Sequence, residues 1–223
     1  MTSASPWIPV ALSADIEAGT SAGTLVHGEE RVVWRDDKGA IHVWEDRCPH
    51  RGMRMSFGFV RGDHIACLYH GWRYDTGGQC RYIPAHPDLE VPQTIKVPTF
   101  AATEHAGIVW MAREGADAAD LSTLPETAEA VRSLYLDLPA NAALLAVTAA
   151  PPEGYRPVPG APDTVTLQGN DAIVLIAAQP RDAERTALHM TITGDISTAT
   201  RRSLALWATD LRNRLETQTV EAA

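Results

Sequence analysis

Nothing in this sequence points to a membrane or a polyanion. No apolar run approaches the ~18 residues of a membrane span. Residues 1–6, Met1-Thr2-Ser3-Ala4-Ser5-Pro6, do not place a basic stretch ahead of an apolar one, as a secretory signal would. Basic residues are outnumbered, 19 Lys and Arg against 28 Asp and Glu, for a formal net charge of −9. A phosphate surface would repel such a chain overall, and Arg51, Arg54 and Arg61 are scattered among apolar residues rather than clustered. The expectation is a cytoplasmic protein with no nucleic-acid and no membrane partner. Cysteine is scarce too, with three in 223 residues, which argues against a disulfide framework. What remains is 45% hydrophobic and 21% charged, the make-up of an ordinary globular chain large enough for one big domain or two small ones.

The first ~110 residues read as strands punctuated by turns. Residues 32–35 and 41–45 flank Asp36-Asp37-Lys38-Gly39, a hairpin signal. Further β-rich runs are 64–67, 72–75, 93–100 and 107–112, a spacing that predicts a small sandwich or barrel. A linker is expected to begin near Glu114. Beyond it, 134–138 and 143–148 read as strands, and 151–162, with five prolines and two glycines, reads as a loop. Residues 164–168 and 172–178 flank Gly169-Asn170-Asp171 as a hairpin, and 185–193 is another strand candidate. From Thr198 to about Thr217 the period changes. Leu204, Trp207, Ala208, Leu211 and Leu215 share one helical face, with Ser197 as N-cap. The fold class expected is α+β: an all-β domain over 1–115, then a small antiparallel sheet with a C-terminal helix over 116–223.

Two segments carry chemistry: Cys48-Pro49-His50-Arg51-Gly52 and Cys67-Leu68-Tyr69-His70-Gly71-Trp72, with sixteen residues between His50 and Cys67. Each offers a thiolate and an imidazole within one tight turn, so two turns supply four ligands, S₂N₂. Zinc takes such a set tetrahedrally. Mononuclear copper wants another axial ligand and a different spacing. A Rieske [2Fe–2S] cluster wants two Cys on one iron and two His on the other, so each loop must give Cys then His, as both do here. Gly52 and Gly71 favour the cluster over zinc, because loops that turn sharply there can aim backbone N–H groups at sulfur. Cys80 has no such partner and reads as a small buried hydrophobe. His42 is expected to face solvent, and Trp72 both to pack in the core and to shield the centre from water.

The segment from Trp7 to Met111 resembles the Rieske domain of the Rieske non-haem iron oxygenases, the aromatic-ring hydroxylases and O- or N-demethylases. Cys48, His50, Arg51-Gly52, Cys67, Tyr69, His70-Gly71-Trp72, Gly78, Cys80 and Ile83-Pro84 carry the likeness. The resemblance implies one [2Fe–2S] cluster on Cys48, His50, Cys67 and His70, with a potential towards −150 mV, the low end of the Rieske range. The cytochrome bc₁ type has an extra cysteine in each loop; here residues such as Met53 and Tyr69 stand in those places, so no bridge is expected.

More faintly, 173–179, 185–189 and the closing helix resemble the end of the demethylase-like catalytic domain, in a shortened, truncated form. That domain holds a mononuclear iron with two His and one carboxylate. From Ala116 to Ala223 the only histidine is His189. The resemblance therefore implies no mononuclear iron in this chain, unless His86 or His105 is borrowed from the first half. The function expected is that of a Rieske electron-transfer subunit in a ring-hydroxylating or demethylating oxygenase system, an oxidoreductase component rather than an independent oxygenase. Its partners would be an iron-bearing oxygenase chain in a hetero-oligomer and a reductase or ferredoxin as electron donor. A complete oxygenase with an atypical iron site, a Rieske ferredoxin, and a structural or redox-sensing partner are the alternatives.

Overall fold

The computed structural model describes residues 6–112, 121–194 and 197–221, the side chains of 218–221 excepted. The linker expected from Glu114 begins outside the described residues. The chain divides into two compact units, one of Ala14–Thr103 and one of Met1–Ser13 with Glu104–Ala223. The first strand, β1 (Trp7–Leu12), thus belongs with the second half of the chain. The sequence-based boundary at 115/116 differs because β1 and residues 108–112, paired with each other, share a core with Leu175 and Ala177 of the second half, a packing that composition and turn signals do not encode.

The first unit holds β2 (Ser21–Val26), β3 (Glu29–Arg35), β4 (Ile41–Glu45), β5 (Phe59–Arg61), β6 (His64–Ala66), β7 (Arg73–Asp75), β8 (Cys80–Tyr82) and β9 (Thr99–Phe100). They form two four-stranded antiparallel sheets, β2-β3-β4-β9 and β5-β6-β7-β8. Trp34, Trp44, Met55, Ile65 and Tyr74 are its largest wholly buried side chains. His42 does not face solvent as expected. It pairs across strands with Trp34, stacks on that ring at 4.3 Å and places Nε2 3.2 Å from Asp36 Oδ2. A large aromatic directly opposite covers an imidazole that strand alternation alone would leave outside.

In the second unit, β1 pairs with β11 (Ile108–Ala112) beside β10 (Ala102–His105), the strand in which the unit boundary falls. Then come β12 (Glu129–Leu136), α1 (Ala140–Ala149), β13 (Arg156–Val158), β14 (Thr164–Gln168), β15 (Ala172–Pro180), β16 (Thr186–Gly194) and α2 (Thr198–Glu221). The sheet order is β12-β16-β15-β14-β13. Alternation divides β15 between two cores. Val174 and Ile176 join Leu188, Met190, Ala143, Val147, Leu204 and Leu211 under the helices, whereas Leu175 and Ala177 join Trp7, Ile108, Trp110 and Leu121 on the other face. Ser197 caps α2 as expected, its Oγ accepting from the Thr200 N–H at 3.1 Å. The expected α+β architecture is present, with two corrections. Residues 143–148 are in a helix, not a strand, and the proline-rich stretch contains β13.

Candidate metal centre

Two loops of the first unit are built on one hydrogen-bond pattern. After β4, Cys48 N–H donates to the Met53 carbonyl (2.8 Å) while the Cys48 carbonyl accepts from Gly52 N–H (2.8 Å). Between β6 and β7, Cys67 N–H donates to the Trp72 carbonyl (2.8 Å) while the Cys67 carbonyl accepts from Gly71 N–H (2.9 Å). Gly52 (φ 73°) and Gly71 (φ 68°) occupy the left-handed region at matching places in the two turns. A Cβ on Gly71 would also lie 3.2 Å from Pro84 Cγ. The glycines therefore close the turns on the cysteine carbonyls. The N–H groups that reach sulfur are others: those of His50 and Arg51 for Cys48, and those of Tyr69 and His70 for Cys67.

Between them the turns bring together all four side chains singled out in the sequence. Cys48 and Cys67 are buried, 2% and 3% exposed, with their sulfurs in mutual hydrogen-bond reach. His50 is half-buried and His70 exposed, their ring centroids 4.8 Å apart. The thiols thus point inward and the imidazoles lie at the surface. Among the described residues, no group of three or more His, Cys, Asp or Glu side chains is arranged to hold one metal ion. Two buried thiols in hydrogen-bond reach of each other and two surface imidazoles 4.8 Å apart suit a binuclear centre with sulfur at one end and nitrogen at the other.

The surroundings favour a thiolate. The bond shared with Cys67, opposed by burial and supported by Tyr74 and the His50 and Arg51 N–H groups, pulls the Cys48 thiol down to about 5. The same shared bond, and then burial, push Cys67 up. The Tyr74 hydroxyl lies 3.2 Å from Cys48 Sγ. Met55, Ile65, Ile83 and Cys80 pack in the same core, and no cysteine is in a disulfide. Cys80 is on β8, opposite Tyr74, with Sγ 3.8 Å from the Tyr82 carbonyl. This buried, donor-rich site fits a [2Fe–2S] group at the donor level: soft anionic ligands inside, neutral nitrogen ligands at the edge.

Sequence reasoning missed two supporting residues. Tyr74 falls on a strand with nothing in the motif to mark it. Asp46 is buried, and its carboxylate accepts from the Ser56 N–H (2.7 Å) and Oγ–H (2.6 Å), tying the entry of the first loop to the 3₁₀ turn that follows. A carboxylate two residues before Cys48 is the only available signal, and it is a weak one.

In the second unit, His189 is buried on β16. Its Nδ1 lies 2.9 Å from Ser133 Oγ and its Nε2 2.9 Å from Gln179 Oε1. Because the amide oxygen can only accept, Nε2 carries the proton and Nδ1 accepts from Ser133. Burial pushes its pKa down to about 4. His105 Nε2 is 3.3 Å from the Leu124 carbonyl, and His86 lies exposed in a turn.

A family model described as a Rieske [2Fe-2S] domain matches residues 6–101. The chain is 40% identical over 105 residues to the oxidoreductase NdmD of Pseudomonas putida, a match covering 47% of this chain and 18% of NdmD. It is 37% identical over 107 residues to the 3-chlorobenzoate-3,4-dioxygenase oxygenase subunit of Comamonas testosteroni, covering 47% of this chain and 25% of that protein. The chain thus spans a quarter or less of the length of these two relatives. Among solved structures, NdmA of Pseudomonas putida CBB5 shares the fold with a TM-score of 0.72 at 20% identity, over 98% of this chain and 81% of that one. No described helix is long and apolar enough to cross a membrane.

Proposed function

We propose that residues 6–101, which match the model of a Rieske [2Fe-2S] domain, hold one such cluster on Cys48, His50, Cys67 and His70. On this reading the chain is the electron-transfer component of a ring-hydroxylating or demethylating oxygenase system, serving a mononuclear iron on a partner chain. The observation that carries the reading is the pair of matched turns that gather two buried thiols and two surface imidazoles. When bound, the cluster supplies reversible one-electron chemistry.

The chain's own residues do the rest. Cys48 and Cys67 provide anionic sulfur in a core closed by Met55, Ile65 and Ile83. The N–H groups of His50, Arg51, Tyr69 and His70 point at those sulfurs and stabilise negative charge there without moving. Exposed His70 and half-buried His50 put the nitrogen edge of the site at the surface, where a redox partner can approach. The relatives named as a dioxygenase oxygenase subunit and as a methylxanthine N1-demethylase support the oxygenase setting. His189, with a partner at each ring nitrogen, supports placing the mononuclear iron elsewhere, as does its being the one histidine after Ala116.

Affinity purification of this chain from its native host tests the assignment. Recovery of a chain that carries mononuclear iron, together with electron flow from reduced cluster to that chain, is the expected result. A purified chain that hydroxylates or demethylates substrate alone would overturn it.

A further inference from the structure

Each imidazole of the centre meets one aromatic ring, and the two contacts differ in kind. Tyr69 touches His70 from within the same loop, ring centroids 3.9 Å apart and planes tilted by 31°, with both residues exposed. Trp72 belongs to the second loop yet lies flat on His50 of the first, centroids 4.2 Å apart and planes within 6°. We infer that Trp72 is a positioning residue that fixes the His50 ring across the two loops and covers one of its faces. This rests on the proposal that His50 is a ligand.

Trp72 is well placed for the task. Its carbonyl accepts the Cys67 N–H that closes the second turn, so its backbone is tied to a proposed ligand. Its side chain is half-buried and packs against the core of the first unit, leaving one face for His50. The residue at the matching place in the first turn is Met53, which has no flat face to offer. An imidazole turns easily about its second side-chain torsion. A parallel indole at van der Waals distance stops that turn, because any rotation drives the ring edge into the indole plane. His50 is therefore held by the loop that does not carry it. His70 has the edge of His50 and a tilted, exposed Tyr69 beside it but no parallel ring, and is the freer of the two.

Two variants test this, Trp72→Leu and Trp72→Phe, each read with and without the cluster. In the cluster-free chain, NMR should find the His50 ring protons displaced by the indole ring current. That displacement should vanish in Trp72→Leu and persist in reduced form in Trp72→Phe. In the loaded chain, Trp72→Leu should lose its cluster to a chelator roughly tenfold faster, the scale of other outer-layer metal-site changes. Its midpoint potential should rise, because water at the uncovered ring favours the more negative reduced state. Trp72→Phe should restore both properties most of the way.

Unchanged His50 resonances in a folded Trp72→Leu chain, or loss rate and potential equal to wild type, would overturn the inference. If Trp72→Leu does not fold, wild-type protein decides: His50 ring protons without ring-current displacement sink the stack. A wild-type chain that takes up no cluster with a Rieske spectrum instead refutes the ligand proposal, and the ring-current result still stands apart from it.

Discussion

At Cys48 the sulfur has three kinds of neighbour besides any metal: a second thiol, two backbone N–H groups and the Tyr74 hydroxyl at 3.2 Å. Of these only the hydroxyl can be deleted without touching a proposed ligand or the backbone. A hydrogen bond to sulfur strengthens as electron density on the sulfur grows, so it favours the reduced state and raises the potential. Tyr74→Phe should therefore lower the midpoint potential of the loaded protein by roughly 50 mV, about 1 kcal/mol for one electron. The ring is wholly buried, and Phe keeps its volume, so the fold should hold. Protein-film voltammetry checks this, and an unchanged potential would show that the hydroxyl does not act on the loaded site. Cys80→Ser makes the complementary case. Its Sγ lies 3.8 Å from the Tyr82 carbonyl and the residue sits on β8, outside both turns, so the reduced protein should keep its EPR signature. His70→Ala should abolish that signature, and its survival would remove His70 from the proposed ligands.

Among the elements, the legible ones were those whose signal is local. The hairpin of β3 and β4, the hairpin of β14 and β15 and the capped helix α2 follow from turn residues, alternation and a cap. The misread ones were decided by tertiary position. Pro157 lies in β13, which forms the edge of its sheet, where an absent N–H costs no ladder bond. Residues 93–98 look like a strand but are held by other means. Ile95 and Val97 bond singly to Cys80 and Gly78, and Gln79 Nε2 donates to the Pro92 and Ile95 carbonyls. Residues 140–149 are the exception among the misread elements, helical because Ala and Leu dominate them, which is a local signal. The four proposed ligands were legible because metal chemistry restricts residue type and spacing together. Tyr74 was not, and neither was the stack of Trp72 on His50, as both depend on which strands and loops face one another.

His189 on β16 sets a prediction for the sheet that holds it. Its folded pKa of about 4 lies below the ordinary 6.5, so the unfolded chain binds a proton that the native state refuses. Stability from this group is complete above pH 6.5 and is lost as pH falls towards 4, by about 3 kcal/mol in all. His189→Gln removes the titration. Urea unfolding followed across that window should show the wild type losing stability more steeply than the variant. Parallel losses would mean that His189 is protonated without cost.

For the whole molecule, the decisive quantity is metal content. Two thiolates and two imidazoles satisfy one [2Fe–2S] cluster, and the proposed reading leaves the mononuclear iron to a partner chain. Fully loaded protein should then contain about two irons and two acid-labile sulfides per chain. The reason lies in the second unit. A facial triad needs two imidazoles, whereas Ala116–Ala223 supplies only His189, whose ring nitrogens face Ser133 and Gln179 at 2.9 Å. Freeing His189 would break both bonds and expose the face of a sheet that also buries Leu175 and Ala177. Iron and sulfide assays on chain purified after aerobic and anaerobic reconstitution measure the ratio directly. Zinc in place of iron would refute the cluster. A stoichiometric third iron, retained after gel filtration and lost in His86→Ala or His105→Ala, would show a mononuclear site built with a histidine from the first half. The chain would then be a complete oxygenase.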